Sequence, residues 1–425
     1  MQQGTRWAGV AAVLAMGLVG CGDSKPCDSV SGACTAITVG MPEAEMVKAF
    51  VSAPANSTIA FAEGNFVFTN SLNLASAAGI TVRGAGMDKT TIDFTYQSAG
   101  ADGIVQNNPA SGGGAVTFQD FTVKNTYGNG VKVVGAVGVT IRRVKALWTG
   151  AVRGPYGLYP VSCKNVLIED SVVDGARDAG FYVGQSDTII IRNNLSQNNV
   201  AGIEIENSFN ADVSGNTVTH NTGGILVFDL PGLQQLGGHN VRVFNNTVRD
   251  NNTQNFGIGG TVSLVPAGLG VLVMANQNVE VFGNTISGNN SAGSAIVSYY
   301  VTQLPITDPG YTPIPARVYV HDNTYSGNGT SPDPNKDLGL LLLSGLHAFP
   351  GGVVSDLVYD GIIPPGATNA QVGICVQHNG SGGMANLHFD QLPANGFNLA
   401  ATMTFDPAPY DCSLPALPAV TLPGA

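Results

Sequence analysis

A short strand-like segment keeps returning along this chain, at a spacing few folds can accommodate. It reads "ITVRGAG" at 80, "VTFQDFTV" at 116, "VTIRRVKA" at 139, "VLIEDSVV" at 166, "IIIRNNLS" at 189, "ADVSGNTV" at 211, "VRVFNNTV" at 241, "VEVFGNTI" at 279 and "VYVHDNTY" at 318. Each copy alternates apolar and polar residues and is rich in β-branched side chains, as strands are. The basic unit is about 22 residues, and the wider gaps late in the chain are that unit plus insertions, the pattern of a solenoid.

A second series is interleaved, each member led by glycine: "GVKVVGA" at 130, "GLYPVSC" at 157, "GFYVGQS" at 180, "GIEIENS" at 202, "GILVFDL" at 224 and "GVLVMAN" at 270. Two or three short strands per unit cannot close into hairpins without breaking the period. They can stack, each strand pairing in parallel with its equivalent about 4.8 Å along an axis. Right-handed connections between parallel strands then give a right-handed parallel β-helix. With 56 glycines and only 11% charged residues, the composition leaves little room for helices rich in Glu, Lys and Ala. The fold class is therefore all-β: a right-handed parallel β-helix solenoid with an N-terminal capping helix and an irregular C-terminal cap.

One residue type fixes the register. Asn194, Asn216, Asn246, Asn284 and Asn323 fall at the same place after successive strands, with Ser171 there one coil earlier. Stacked amides at a bend satisfy buried backbone groups, so these residues are read as structural.

The ends differ from the middle. Residues 1–20 form an export signal, with Arg6 before an apolar run, and Leu18-Val19-Gly20-Cys21 resembles a lipobox, making Cys21 the lipidated residue. Residues 21–41 are read as a tether, 42–330 as the β-helix with its N-terminal cap, and 331–425 as the C-terminal cap region. Met46, Val47 and Phe50 share one side of a helix in "MPEAEMVKAFVSA", placed over the first coil, where exposed strand edges need covering. Of the remaining cysteines, Cys27 with Cys34 and Cys375 with Cys412 are the expected disulfides, and Cys163 the odd, buried thiol. The implied location is the bacterial cell envelope, lipid-anchored at the outer membrane or a periplasmic face. A net charge of -11 argues against a nucleic-acid partner or attraction to anionic lipid.

In the glycine-led strands the second and fourth residues after glycine point outward. One outward column reads Lys132, Tyr159, Tyr182, Glu204, Leu226; the next reads Val134, Val161, Gly184, Glu206, Phe228, with Gln185, Asn207 and Asp229 at the strand ends. Glu204 and Glu206 stand about 6.6 Å apart along the strand, close enough to disfavour joint ionisation or to share a cation. Gly184 leaves room beside Glu206. Tyr159 and Tyr182 offer flat faces to a sugar ring. Nearby loops add Arg153, Tyr156, Arg177 and Asp178. The candidate catalytic residues are Glu204, Glu206, Tyr182, Lys132 and Arg177. The candidate substrate-binding residues are Tyr159, Tyr182, Asp178, Asn207, Asp229 and Phe228. Glu204, Glu206 and Asp229 are the candidate ligands for Ca²⁺, the one cofactor considered. The six histidines show no metal-ligand spacing, and no nucleotide-binding or nucleophile-elbow motif occurs.

With these residues in place, the chain resembles the pectate-lyase-like superfamily of right-handed β-helices over residues 57–330. More narrowly it is similar to an exported parallel β-helix repeat family of bacterial lipoproteins, through "GITVRGAGMDKTTIDF", "YGLYPVSCKNVLIEDS", "DAGFYVGQS", "VAGIEIENS", "TGGILVFDLPG" and "VLVMANQNVEVFGNTIS". The wider resemblance implies polysaccharide lyases, hydrolases and uronate epimerases; the narrower one implies a second exported protein as partner. The Asp-Pro-His element of mannuronan epimerases and the aligned aspartates of calcium-dependent pectate lyases are missing, so fold and activity separate here. The resulting reading is a membrane-tethered β-helix that binds an acidic polysaccharide and, as a lyase or epimerase, processes it. The alternative is a non-catalytic scaffold or binding lipoprotein for another exported protein.

Overall fold

The computed structural model describes residue 1 and residues 25–75, 78–98, 100–107 and 114–423. The expected signal peptide and Cys21 lie outside the described residues. Among the described residues no helix is long and apolar enough to cross a membrane.

The chain is a right-handed parallel β-helix whose coils have three walls. One coil runs through a long strand, Asp187–Arg192, a short one, Leu195–Gln197, and a glycine-led one, Ala201–Glu206. The next repeats this as Phe209–Ser214, Thr217–Thr219 and Gly223–Phe228. Equivalent strands pair in parallel with the register read from sequence: Ile189 faces Ala211, Leu195 faces Thr217 and Ile203 faces Ile225. We call these the first, second and third walls.

Inward residues such as Ile189, Ile191, Ile203, Ile205 and Val213 are fully buried, each worth about 1.5–3 kcal/mol against exposure. No coil could bury this face alone, which is why the chain must repeat.

At the bend between the first and second walls the asparagine stack forms as expected. Asn194 donates from its backbone and its side-chain amide to Asn216 Oδ1, both at 3.0 Å, and Asn216, Asn246 and Asn284 continue the pattern to Asn323. Ser171 opens the series and Asn379 extends it. The residue before each rung turns with positive φ, as at Asn193 (57°) and Gly215 (65°), which explains the recurring Asn, Asp or Gly there. A second stack, absent from the sequence reading, runs through Asn199, Asn221, Asn251, Asn289 and Asn328 at the bend into the third wall.

Helix α1 (Glu43–Val51) covers the first coil, burying Met46 and Phe50, with Phe50 6.0 Å from the Phe61 ring. Both expected disulfides form, Cys27–Cys34 and Cys375–Cys412, and Cys163 is a buried free thiol that burial pushes up to about 11.

The C-terminal end departs from expectation. Strands continue the walls well past 330: Val318 pairs with Ile374, Ser294 with Leu357, and Leu357 with Met384. The helix α2 (Asp337–Ser344) and further short turns interrupt these coils. The period is lost to insertion there, while the pairing survives.

Candidate functional site

The third wall lines up the predicted columns: Lys132 with Tyr159, Tyr182 with Glu204 and Leu226, and Gly184 with Glu206 and Phe228. The Tyr159 and Tyr182 rings lie with centroids 4.8 Å apart, one coil step, and are tilted by 36° to each other. Tyr156, from the preceding loop, stacks on Tyr159 at 4.5 Å and tilts against Tyr182 at 4.8 Å. Three tyrosines therefore form one aromatic platform.

The wall is less open than its alternation implies. Tyr182 and Glu204 retain 4% and 3% of their exposure, and Leu226 and Phe228 none. Insertions from neighbouring coils lay a second apolar layer over this side, in which Leu226 and Phe228 join Leu272, Met274, Val262, Tyr299 and Tyr311. Phe228 is thus a packing residue and not a sugar contact. Asn207 is likewise structural: its side chain donates to Leu230 O and Gln235 O, pinning the insertion after Asp229. Asp229 accepts from the Gly237 and Gly238 backbone N–H groups of that same insertion.

At the upstream edge of this layer sits a carboxyl cluster. The Tyr182 hydroxyl donates to Glu206 Oε1 at 2.7 Å, and its ring occupies the space that a side chain at 184 would need. The room expected beside Gly184 is filled from within. Glu204 and Glu206, though separated along the strand, turn their carboxyls within hydrogen-bonding reach of each other. Glu204 Oε2 and Asp178 Oδ1 are buried without a hydrogen-bond partner.

A lone buried carboxylate costs several kcal/mol, which favours the protonated form of these groups and raises their values. Burial pushes Asp178 up to about 7, against the opposing pull of the Tyr156 hydroxyl and Arg177. Burial, then the charges of Glu206 and Asp178, hold Glu204 well above the usual carboxylate range. Glu206 is raised by burial too, while its bonds to Tyr182 and Glu204 work the other way. Asp229 rises to about 6 through burial.

Among the described residues no cation forms an ion pair with the cluster, although Arg177 lowers Asp178 from a greater distance. Lys132 is ion-paired with Asp102 at 3.4 Å. Arg177 donates from Nε to Arg153 O at 2.9 Å and, with Arg153, lines a separate cleft of about 570 Å³ that includes Asn198 and Phe256. Two predicted catalytic roles change accordingly. Tyr182 is a poor base, because burial and the adjacent glutamates raise its phenol well above the usual value, and Lys132 is already engaged.

The candidate calcium ligands Glu204, Glu206 and Asp229 do not form a close three-carboxylate group. Among the described residues no three His, Cys, Asp or Glu side chains gather closely enough to hold a metal ion. Glu204 and Glu206 face each other, and Asp229 is spent on backbone donors.

The structure therefore brings together Tyr156, Tyr159, Asp178, Tyr182, Glu204 and Glu206. It sets apart Lys132, Arg177, Asn207, Phe228 and Asp229. Tyr156, placed beside the face by the sequence but not among its candidate binding residues, joins the cluster by stacking on Tyr159. Tyr159 is half-buried, as are Tyr156 and Glu206, and burial and Glu206 push its phenol up to about 12.

Residues 78–234 match the family model described as a right handed beta helix region. No curated protein matches the chain. The chain is similar to the A-module of mannuronan C-5 epimerase AlgE4 from Azotobacter vinelandii, at 17% identity, 79% coverage of this chain, 89% of that one and a TM-score of 0.45. Endopolygalacturonase I from Stereum purpureum is 16% identical, with 69% and 95% covered and a TM-score of 0.40.

Proposed function

We propose, from the premise that this chain is a right-handed parallel β-helix, that its third wall binds an acidic polysaccharide and that the carboxyl cluster moves a proton on it. The carrying observation is a cluster of three tyrosine rings, Tyr156 stacked on Tyr159 and both tilted against Tyr182, joined by the 2.7 Å Tyr182–Glu206 bond to carboxyls that are short of partners. Aromatic faces suit the apolar faces of sugar rings. Asp178, raised by burial to about 7, suits proton transfer at physiological pH.

Because the cluster retains protons, it presents less negative charge to a polyanion than three carboxylates would. Protonated Glu206, half-buried where Glu204 is covered, can donate a hydrogen bond to a sugar oxygen. Ionised Asp178 is the base that fits: it takes the proton from the carbon next to the uronate carboxylate, into which the electron pair delocalises. Return of a proton from water to the opposite face of that carbon gives the epimer; alternatively the bond from the adjacent ring carbon to the glycosidic oxygen breaks, the oxygen leaves with the electron pair and takes a proton from Glu206, and an unsaturated uronate remains.

The test uses purified protein lacking its first 20 residues and a panel of polyuronates, with and without Ca²⁺. Retention on glycan gels reads binding, and ultraviolet absorbance of unsaturated uronate reads elimination. Turnover abolished in Asp178→Asn and Glu206→Gln supports the enzyme. Retention lost in Tyr159→Ala without any turnover reduces the reading to a binding module. Neither retention nor turnover overturns it.

The lipobox-like Leu18-Val19-Gly20-Cys21 supports tethering of this protein to the bacterial envelope. A Cys21→Ser chain should then move from the membrane fraction to the soluble fraction of expressing cells; unchanged partitioning would refute the anchor.

A further inference from the structure

The first wall carries a feature that the saccharide site does not use. After Cys412, which is bonded to Cys375 on a late coil, residues 413–423 run back along the outside of the first wall without regular secondary structure. Leu417 donates its backbone N–H to Glu280 Oε2 at 3.0 Å, and Val420 donates to Asp212 Oδ2 at 3.2 Å. Asp212, Arg242 and Glu280 are neighbours in one column of successive coils, so the two carboxylates stand two coil steps apart.

The periods of tail and wall agree. Leu414, Leu417 and Val420 are half-buried while Pro415, Ala416, Pro418 and Ala419 between them are exposed, a three-residue rhythm in "LPALPAV". A polyproline II chain has three residues per turn and rises about 3.1 Å per residue, so one turn spans about 9.3 Å. Two coils of a parallel β-helix span about 9.6 Å. Every third backbone N–H of such a chain thus meets an acceptor on every second coil, and its prolines fall where no donor is needed.

The wall is furnished to hold a chain of this kind. Arg242 Nε donates to Asp212 Oδ1 at 2.7 Å, and a ring nitrogen of His321 lies 3.2 Å from Glu280 Oε1, which fixes both carboxylates. Two residues further along the same strands, Phe244, Phe282 and His321 stack at 5.0 and 5.2 Å. Grooves lined by aromatic residues are a recurring way of holding polyproline II segments, whose preformed shape lowers the ordering cost.

We propose that this column of the first wall is a receptor for an extended, proline-punctuated segment of a partner protein, and that the chain's own tail is its resident competitor. The tail is held by two backbone hydrogen bonds and four half-buried apolar side chains, Leu414, Leu417, Val420 and Leu422, beyond its disulfide, a hold that an incoming segment can displace. This inference is independent of the saccharide reading, since the two sites lie on different walls.

The test is fluorescence anisotropy with a labelled synthetic peptide of residues 413–423. A chain ending at Cys412, with both disulfides intact, should bind it at least 10-fold more tightly than the full chain. Glu280→Ala in the shortened chain should weaken binding at least 5-fold. A peptide N-methylated at the positions of Leu417 and Val420 should lose it. If shortening impairs folding, the full-length Leu417→Asp, Val420→Asp variant dislodges the tail while keeping it, and should bind like the shortened chain. Absence of binding to either variant, or equal binding of the methylated peptide, would sink the proposal. A full-length dimer dissolved by the truncation would assign the column to a second copy and overturn the partner.

Discussion

The Tyr182 hydroxyl reaches Glu206 across one coil step, at 2.7 Å, by laying its ring over Gly184. Glycine at 184 therefore makes room for a neighbour's side chain within the protein, and the bond joins the aromatic platform to the carboxyl cluster.

Replacing Gly184 with alanine should break that link. The added methyl collides with the Tyr182 ring in a packed setting, where overpacking costs about 1–3 kcal/mol. Denaturant unfolding should show a loss in that range, with weaker glycan retention. Native stability and retention in Gly184→Ala would mean the ring is free to sit elsewhere.

Tyr182→Phe removes a donor that holds the Glu206 value down, so the carboxyl should titrate higher than in the parent. Carbon-13 NMR titration of the glutamate side chains reads this directly. A downward or absent shift would show that the hydroxyl does not donate to the ionised carboxylate.

Stability should fall as pH rises from about 4 toward 7. Asp178 is raised to about 7 when folded, and Glu204, Glu206 and Asp229 are raised as well, whereas unfolded carboxyls titrate near about 4. Between those limits the folded state binds more protons than the unfolded state, which places the full stabilising contribution below about pH 4 and removes it toward pH 7. The slope is about 1.4 kcal/mol per pH unit for each retained proton. Urea unfolding at pH 4.5, 6 and 7.5 should trace the decline, and Asp178→Asn should flatten it; an unchanged slope in that variant would count against a protonated Asp178.

Asn246→Ala should remove the acceptor for the Asn216 backbone and side-chain donors. Each buried group left unpaired costs about 1–3 kcal/mol. Calorimetry should show a lowered Tm, and hydrogen exchange should quicken at Asn216 before it does on distant coils. Asn251→Ala should do the same at Asn221, its partner in the second stack.

That second stack is legible in the same spacing. Each of its members follows a rung of the first stack by five residues, from Asn194 and Asn199 through to Asn323 and Asn328. By contrast, pairing of Val318 with Ile374 lay hidden behind a long insertion, since a lengthened connection leaves the strand but erases the spacing that reveals it.

The sequence by itself determined the coil, its register and its asparagine bends, because each depends on residues a fixed number of positions apart and on backbone groups that must be paired. It also determined which side chains share the third wall. Only the tertiary structure decided which of them meet solvent, which became packing and which turned to one another. Insertions from coils far apart in sequence fold over that wall, burying Phe228 and Glu204, and Tyr182 turns toward Glu206 and fills the space over Gly184. Burial and desolvation are properties of everything packed around a residue, and no local period records them.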